Sequence, residues 1–127
     1  MSFRIRIYAG SVTVEAELNE SQTAKRVWDA LPIEGIAHTW GEEVYFKIPV
    51  DAERERDARD IVEKGEIGYW PMGQAFCIFF GPTPASQGDE IRAYSAVNIL
   101  GRIIGDPTVF KDVQDGDQVK LDKIESV

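Results

Sequence analysis

Residues 36–48 read IAHTWGEEVYFKI, and the way this stretch pairs on itself decides the architecture. Gly41-Glu42 forms a tight turn that glycine's tolerance of positive φ allows, so residues 36–40 and 43–48 become an antiparallel hairpin. With Trp40 opposite Glu43, Thr39 faces Val44, His38 faces Tyr45 and Ala37 faces Phe46. One face then carries Ala37, Thr39, Val44, Phe46 and Ile48, which suits a core. The other carries Ile36, His38, Trp40, Tyr45 and Lys47, an aromatic and mixed face expected to meet solvent or a partner. A slip of one residue would exchange the two faces.

The same period of two extends in both directions. Upstream, Phe3, Ile5 and Ile7 alternate with polar neighbours, as do Val12, Val14, Ala16 and Leu18, and Gly10-Ser11 joins the two runs as a hairpin. Between that hairpin and Pro32, the spacing of Ala24, Val27, Trp28 and Leu31 predicts an amphipathic helix over 20–31, with Asn19 and Gln22 resembling a capping box. Downstream, residues 51–64 (DAERERDARDIVEK) hold six acids and four bases and read as a solvated loop or frayed helix. EIGYW (66–70) and AFCIFF (75–80) are strands around a turn, with Ile67 and Tyr69 on one face and Trp70 on the other. Gly81-Pro82-Thr83-Pro84 stops the second of them, and residues 85–93 read as a polar loop. VNILGRII (97–104) is another strand, Asp106-Pro107 opens a short helix to about Val113, and QVKLDKI (118–124) is the last strand. About eight strands with two helices favour a mainly β domain over residues 1–127, closed into an eight-stranded barrel capped by the helices. Side chains fill an interior of that size, so a ligand belongs on the outer wall or in the loops.

Composition narrows the function. Fourteen Lys and Arg against 22 Asp and Glu leave a net charge of −8, which repels phosphate backbones and anionic membrane surfaces, so neither nucleic acid nor membrane is expected as a partner. A single cysteine, Cys77, excludes an internal disulfide and reads as a small buried hydrophobe. With no signal-peptide core and no apolar run near 18 residues, a cytoplasmic location is expected. His38 is the sole histidine, and the aspartates around Gly116 miss the spacing of a calcium loop, so no cofactor or metal is implied.

The blocks LPIEGIAHTWGEEVYFKIPV, EKGEIGYWPMGQAFCIFFGPTP and AYSAVNILGRI, in this order, resemble the small stand-alone cyclophilin-like proteins of prokaryotes, a family without an established activity. The resemblance implies a cyclophilin-type barrel, and true isomerases of that fold bind proline peptides on the outer wall. Their chemistry needs an Arg guanidinium at the prolyl nitrogen to lower a barrier of roughly 20 kcal/mol. The strand expected to carry it, within 33–50, contains no Arg, and the Gln-Gly-Gly motif that should follow is absent. RAYSAVN (92–98) lacks the Trp and His of the later isomerase block, while ILGRI (99–103) and AFCI (75–78) preserve the frame.

The expected function is therefore an outer-wall binding module for a small molecule or peptide. Its candidate contacts are Ile36, His38, Trp40, Tyr45, Trp70, Phe76 and Arg102, with Cys77 alternative to Phe76 depending on register. Arg102, or Arg92, could supply a relocated cation, so a weak peptidyl-prolyl isomerase stays open. So does a non-catalytic subunit of an amide-hydrolysing complex, which fold analogy alone suggests. A protein partner or a homo-oligomer is compatible with each.

Overall fold

The computed structural model describes residues 3–124. Strands β1 (Phe3–Ala9) and β2 (Val12–Leu18) form the opening hairpin, with Phe3 opposite Leu18 and Ala9 opposite Val12. Helix α1 (Gln22–Ala30) buries Thr23, Ala24 and Val27. Its cap is Ser21, whose hydroxyl accepts from the Ala24 amide at 3.2 Å. Asn19, which the spacing suggests for that role, accepts from the Ser21 amide and donates to the Ile99 carbonyl, tying the helix start to a later strand.

Strands β3 (Ile33–Ile36), β4 (His38–Thr39) and β5 (Glu43–Lys47) follow. The expected register holds: His38 pairs with Tyr45 and Thr39 with Val44. Val44, Phe46 and Ile48 lie inside the core. Thr39 departs from the expected inward face and is exposed, because β4 runs past the rim, where the Thr39 amide donates to Asp115.

The charged stretch ends as strand β6 (Arg59–Val62), followed by β7 (Glu66–Trp70), a 3₁₀ turn at Pro71–Gly73, and β8 (Ala75–Phe79). Strand β9 runs from Ile91 to Ile104, so it starts within what reads as a polar loop. A second 3₁₀ turn, Pro107–Asp112, stands where a short helix is expected, with Asp106 accepting from the Thr108 amide as its cap. Strand β10 (Gln118–Ile124) completes the chain.

The hydrogen-bonded order is β3-β10-β1-β2-β9-β7-β8-β5-β4, every pair antiparallel, with β6 branching from β9. The closed eight-stranded barrel is thus corrected to a ten-stranded sheet that is not closed into a barrel. Its end strands β3 and β4 do not pair with each other. They are successive pieces of one chain joined at Ala37, whose amide and carbonyl bond Asp117 and Gly116 instead. The argument for closure is that exposed edges invite mispairing, yet these edges are only four and two residues long, which blunts them without a closing ladder.

Inward residues of the sheet form one large core with Val27 of α1 and Phe110 of the second 3₁₀ turn. Phe46 and Phe76 pack there with ring centroids 5.1 Å apart. The charged stretch is fastened to this frame. Asn98, fully buried on β9, accepts from the Glu55 amide at 2.7 Å and donates to the Glu53 carbonyl and the Thr23 hydroxyl. The Glu55 carboxylate in turn accepts from the Thr23 amide and hydroxyl at the start of α1. No described helix is long and apolar enough to cross a membrane.

Candidate functional site

Alternation along β5, β7 and β8 decides what the sheet shows outside. Inward Val44, Phe46, Ile67, Tyr69, Phe76 and Ile78 leave Glu43, Tyr45, Gly68, Trp70, Ala75, Cys77 and Phe79 outward. In register, Tyr45 stands opposite Cys77, and Cys77 opposite Gly68. This outer face is not left to water. The first half of β9 pairs with β6, and a second apolar cluster joins Val62, Ile91, Ala93 and Val97 to Ala75, Cys77 and Phe79. A small second layer therefore covers part of the wall.

Glycine makes that contact close. A Cβ on Gly68 would lie 2.7 Å from Val97 Cγ2 and 2.9 Å from Val97 Cβ, so only a bare backbone lets β9 seat here. Gly73 does the same for Trp70, whose ring lies where a Cβ would stand at 2.5 Å. The Trp70 indole N–H donates to Ser95 Oγ at 2.6 Å, fixing the ring from its other end. The orientation of the ring is thus set by the protein itself.

Beside this contact the two layers leave a cavity of about 240 Å³. Glu43, Tyr45, Cys77 and Trp70 line it from the wall, Ala93, Tyr94 and Val97 from β9, and Trp40 from the hairpin turn. Tyr94 is 71% exposed and stands at the mouth. Its ring meets Trp40 at 6.0 Å and 65°, and Trp70 at 5.7 Å and 72°, so three rings form two near-perpendicular corners. Such edge-to-face contacts are the favoured aromatic geometry.

One acid sits among these rings. Glu43 is 6% exposed, and burial pushes its carboxyl up to about 7 against a weaker downward pull from contact with the Cys77 thiol. Burial, together with Glu43, raises the Cys77 thiol well above its ordinary range, so it stays protonated and is a poor nucleophile. The other buried carboxylate of the outer face is treated differently. Glu66 receives both guanidinium nitrogens of Arg59, at 2.8 and 2.7 Å, and the Glu63 amide at 2.7 Å.

The seven candidate contacts therefore separate. Trp40, Tyr45 and Trp70 meet in the cavity. Ile36 and His38 lie in an adjoining shallow groove with Lys47 and Pro49, with the His38 ring 5.3 Å from that of Tyr45. Phe76 is corrected to a core residue with no exposed surface, and the outward position belongs to Cys77. Arg102 lies on an exposed part of β9, 3.6 Å from Glu63, and does not line the cavity. Arg92 is held by Glu90 at 2.8 Å and Asp60 at 2.6 Å. Sequence reasoning missed Glu43, Ala93, Tyr94 and Val97. The register that sets Trp40 against Glu43 already marks the acid as a neighbour, and the alternation of Ile91, Ala93 and Val97 marks an earlier start for β9.

The description "cyclophilin-like" is that of the family whose profile matches residues 3–122. The chain is similar to a hypothetical protein from Archaeoglobus fulgidus with a solution structure, at 41% identity and a TM-score of 0.83, covering 97% of this chain and 95% of that one. No functionally curated protein matches it. With the match running over nearly the whole chain, this protein belongs to the cyclophilin-like family.

Proposed function

We propose that the chain is a binding module that holds a small molecule, or a single side chain of a peptide, in the outer-wall cavity between the sheet and β9. The carrying observation is a preformed cavity that sets four aromatic rings around a buried acid. Pockets for drug-sized ligands run to roughly 300–1,000 Å³, so a volume of about 240 Å³ suits a small head group.

Prolyl isomerisation is the less favoured reading. It needs a fixed guanidinium beside an apolar pocket, whereas the lining residues include an acid and no base. Arg92 and Arg102 are engaged with acids outside the cavity. The larger groove between α1 and residues 51–56 carries charges of both signs and no aromatic ring, which gives it little to hold an apolar ligand with.

The test is native mass spectrometry of freshly isolated protein beside an Ala93→Phe variant that fills the cavity. A small ligand retained by the wild type and lost in the variant supports the proposal. A ligand held equally by both would place the site elsewhere.

A further inference from the structure

We propose that the cavity takes a small organic monocation, an alkylated ammonium group, held between the aromatic rings and against the Glu43 carboxylate; this rests on the reading of the cavity as a ligand site. Three independent features converge on that chemistry.

The first is an acid without a cation. Glu43 is almost fully buried, yet among the described residues no Lys, Arg or His lies within ion-pair distance of it. A buried carboxylate is costly unless paired, and the same protein pairs Glu66 with the fork of Arg59. At Glu43 the position that a basic side chain would fill is the cavity itself.

The second is the wall. Trp40, Tyr45, Trp70 and Tyr94 supply four rings to one small space. Ring faces attract cations, and the attraction grows when both partners are desolvated. Trp70 is already fixed by Ser95 and by contact with Gly73, so little ordering remains for the ligand to bring about.

The third is the balance of the lining. Its side-chain acceptors are the two oxygens of one carboxylate and two phenol oxygens, and most of the rest is aromatic or apolar surface. An alkylated ammonium, whose charge is spread over carbon, matches such a surface better than a primary ammonium does. The net charge of −8 adds long-range attraction for a cation.

The titratable groups facing this space are Glu43 and Tyr45 from β5, Cys77 from β8 and Tyr94 from β9, while Trp70 from β7 and Trp40 from the turn are uncharged. A cation selects the ionised acid. For a carboxyl pushed up to about 7, the ionised fraction, and with it the affinity, rises about tenfold from pH 6 to pH 8.

The experiment titrates the full chain at constant ionic strength with choline, with tetramethylammonium, and with the neutral isostere of choline in which carbon replaces nitrogen, following tryptophan fluorescence. The expected result is binding of both cations at least about tenfold tighter than the isostere. That preference should be lost in Glu43→Gln and weakened in Tyr94→Leu, an exposed position whose change spares the core. If the isostere binds as tightly as choline and Glu43→Gln changes nothing, the cation inference is overturned while the cavity remains a ligand site. If none of the three binds up to tens of millimolar, both proposals are overturned. Circular dichroism of each variant distinguishes lost binding from lost folding, and Tyr94→Leu carries the comparison if Glu43→Gln misfolds.

Discussion

Replacing Gly68 with alanine adds one methyl group at the seam between the sheet and the first half of β9. The new Cβ would sit 2.7 Å from Val97 Cγ2 and 2.9 Å from Val97 Cβ, inside any real carbon–carbon contact. Val97 is β-branched and stiff at χ1, and it is buried against Cys77 and Ala75, so it cannot swing aside. Overpacking of this kind costs about 1–3 kcal/mol, and the narrower unfolded ensemble of alanine returns about 0.4–1 kcal/mol. The net expectation for Gly68→Ala is a loss of about 1–2 kcal/mol, a fall of roughly 1 M in the urea midpoint for a domain of this size. Urea unfolding followed by tryptophan fluorescence measures it. Val97→Ala removes Cγ2, the nearer of the two Val97 atoms that the new Cβ meets, and leaves only the contact to Cβ, so the double variant should be less destabilised than the sum of the single changes. An unchanged midpoint in Gly68→Ala, or strictly additive single changes, would refute the close contact between the layers.

Glu43 gives a pH dependence of definite sign. Its carboxyl is pushed from the ordinary 4.5 to about 7 in the folded chain, so the folded state holds the proton longer. Stability from this group is present below about pH 4.5 and is lost as the pH rises toward 7, by up to about 3 kcal/mol at roughly 1.4 kcal/mol per pH unit. Glu43→Gln should flatten that decline and be the more stable protein at pH 8 in urea titrations. Asn98→Ala removes one acceptor and two donor contacts that join β9, the charged stretch and α1, leaving the Glu55 amide unpartnered. It should cost about 2–3 kcal/mol and expose residues 53–55 to faster hydrogen exchange. In a protease-coupled assay on an X-Pro peptide, the wild type should turn over no faster than the uncatalysed reaction, and Arg102→Ala should behave identically. Turnover that disappears in Arg102→Ala would identify a relocated catalytic arginine.

Much of the frame is legible because period-two alternation needs only local information. The hairpin at 36–48 follows from Gly41 and from the residues that must face the core, and the outward Trp70 follows from the burial of Ile67 and Tyr69 beside it. What depends on distant chain is not legible in the same way. Residues 51–64 read as solvated, but Asn98 and Thr23 capture Glu55 from segments far along the sequence, and Arg59 pairs with a buried Glu66. Residues 91–93 read as the end of a polar loop, although Ile91 and Ala93 are held down by the apolar outer face of β8. That folded-over half of β9 makes the cavity, so local alternation alone does not mark it. The aromatic candidates divide for this reason. Trp40, Tyr45 and Trp70, on the turn, β5 and β7, line one cavity, Phe76 points into the core with its neighbour Cys77 outward, and Tyr94 stands on the part of β9 that does not read as strand.

Three tryptophans provide internal reporters for the proposed site. Trp40 and Trp70 border the cavity, while Trp28 packs elsewhere, 5.0 Å from Phe3 and beneath the Lys123 ammonium. In an NMR titration of the full chain with choline, the expected result is saturable movement of the Trp40 and Trp70 indole N–H signals with Trp28 stationary, larger at pH 8 than at pH 6. Three stationary indoles, or three moving together, would contradict a cation-binding cavity between the sheet and β9.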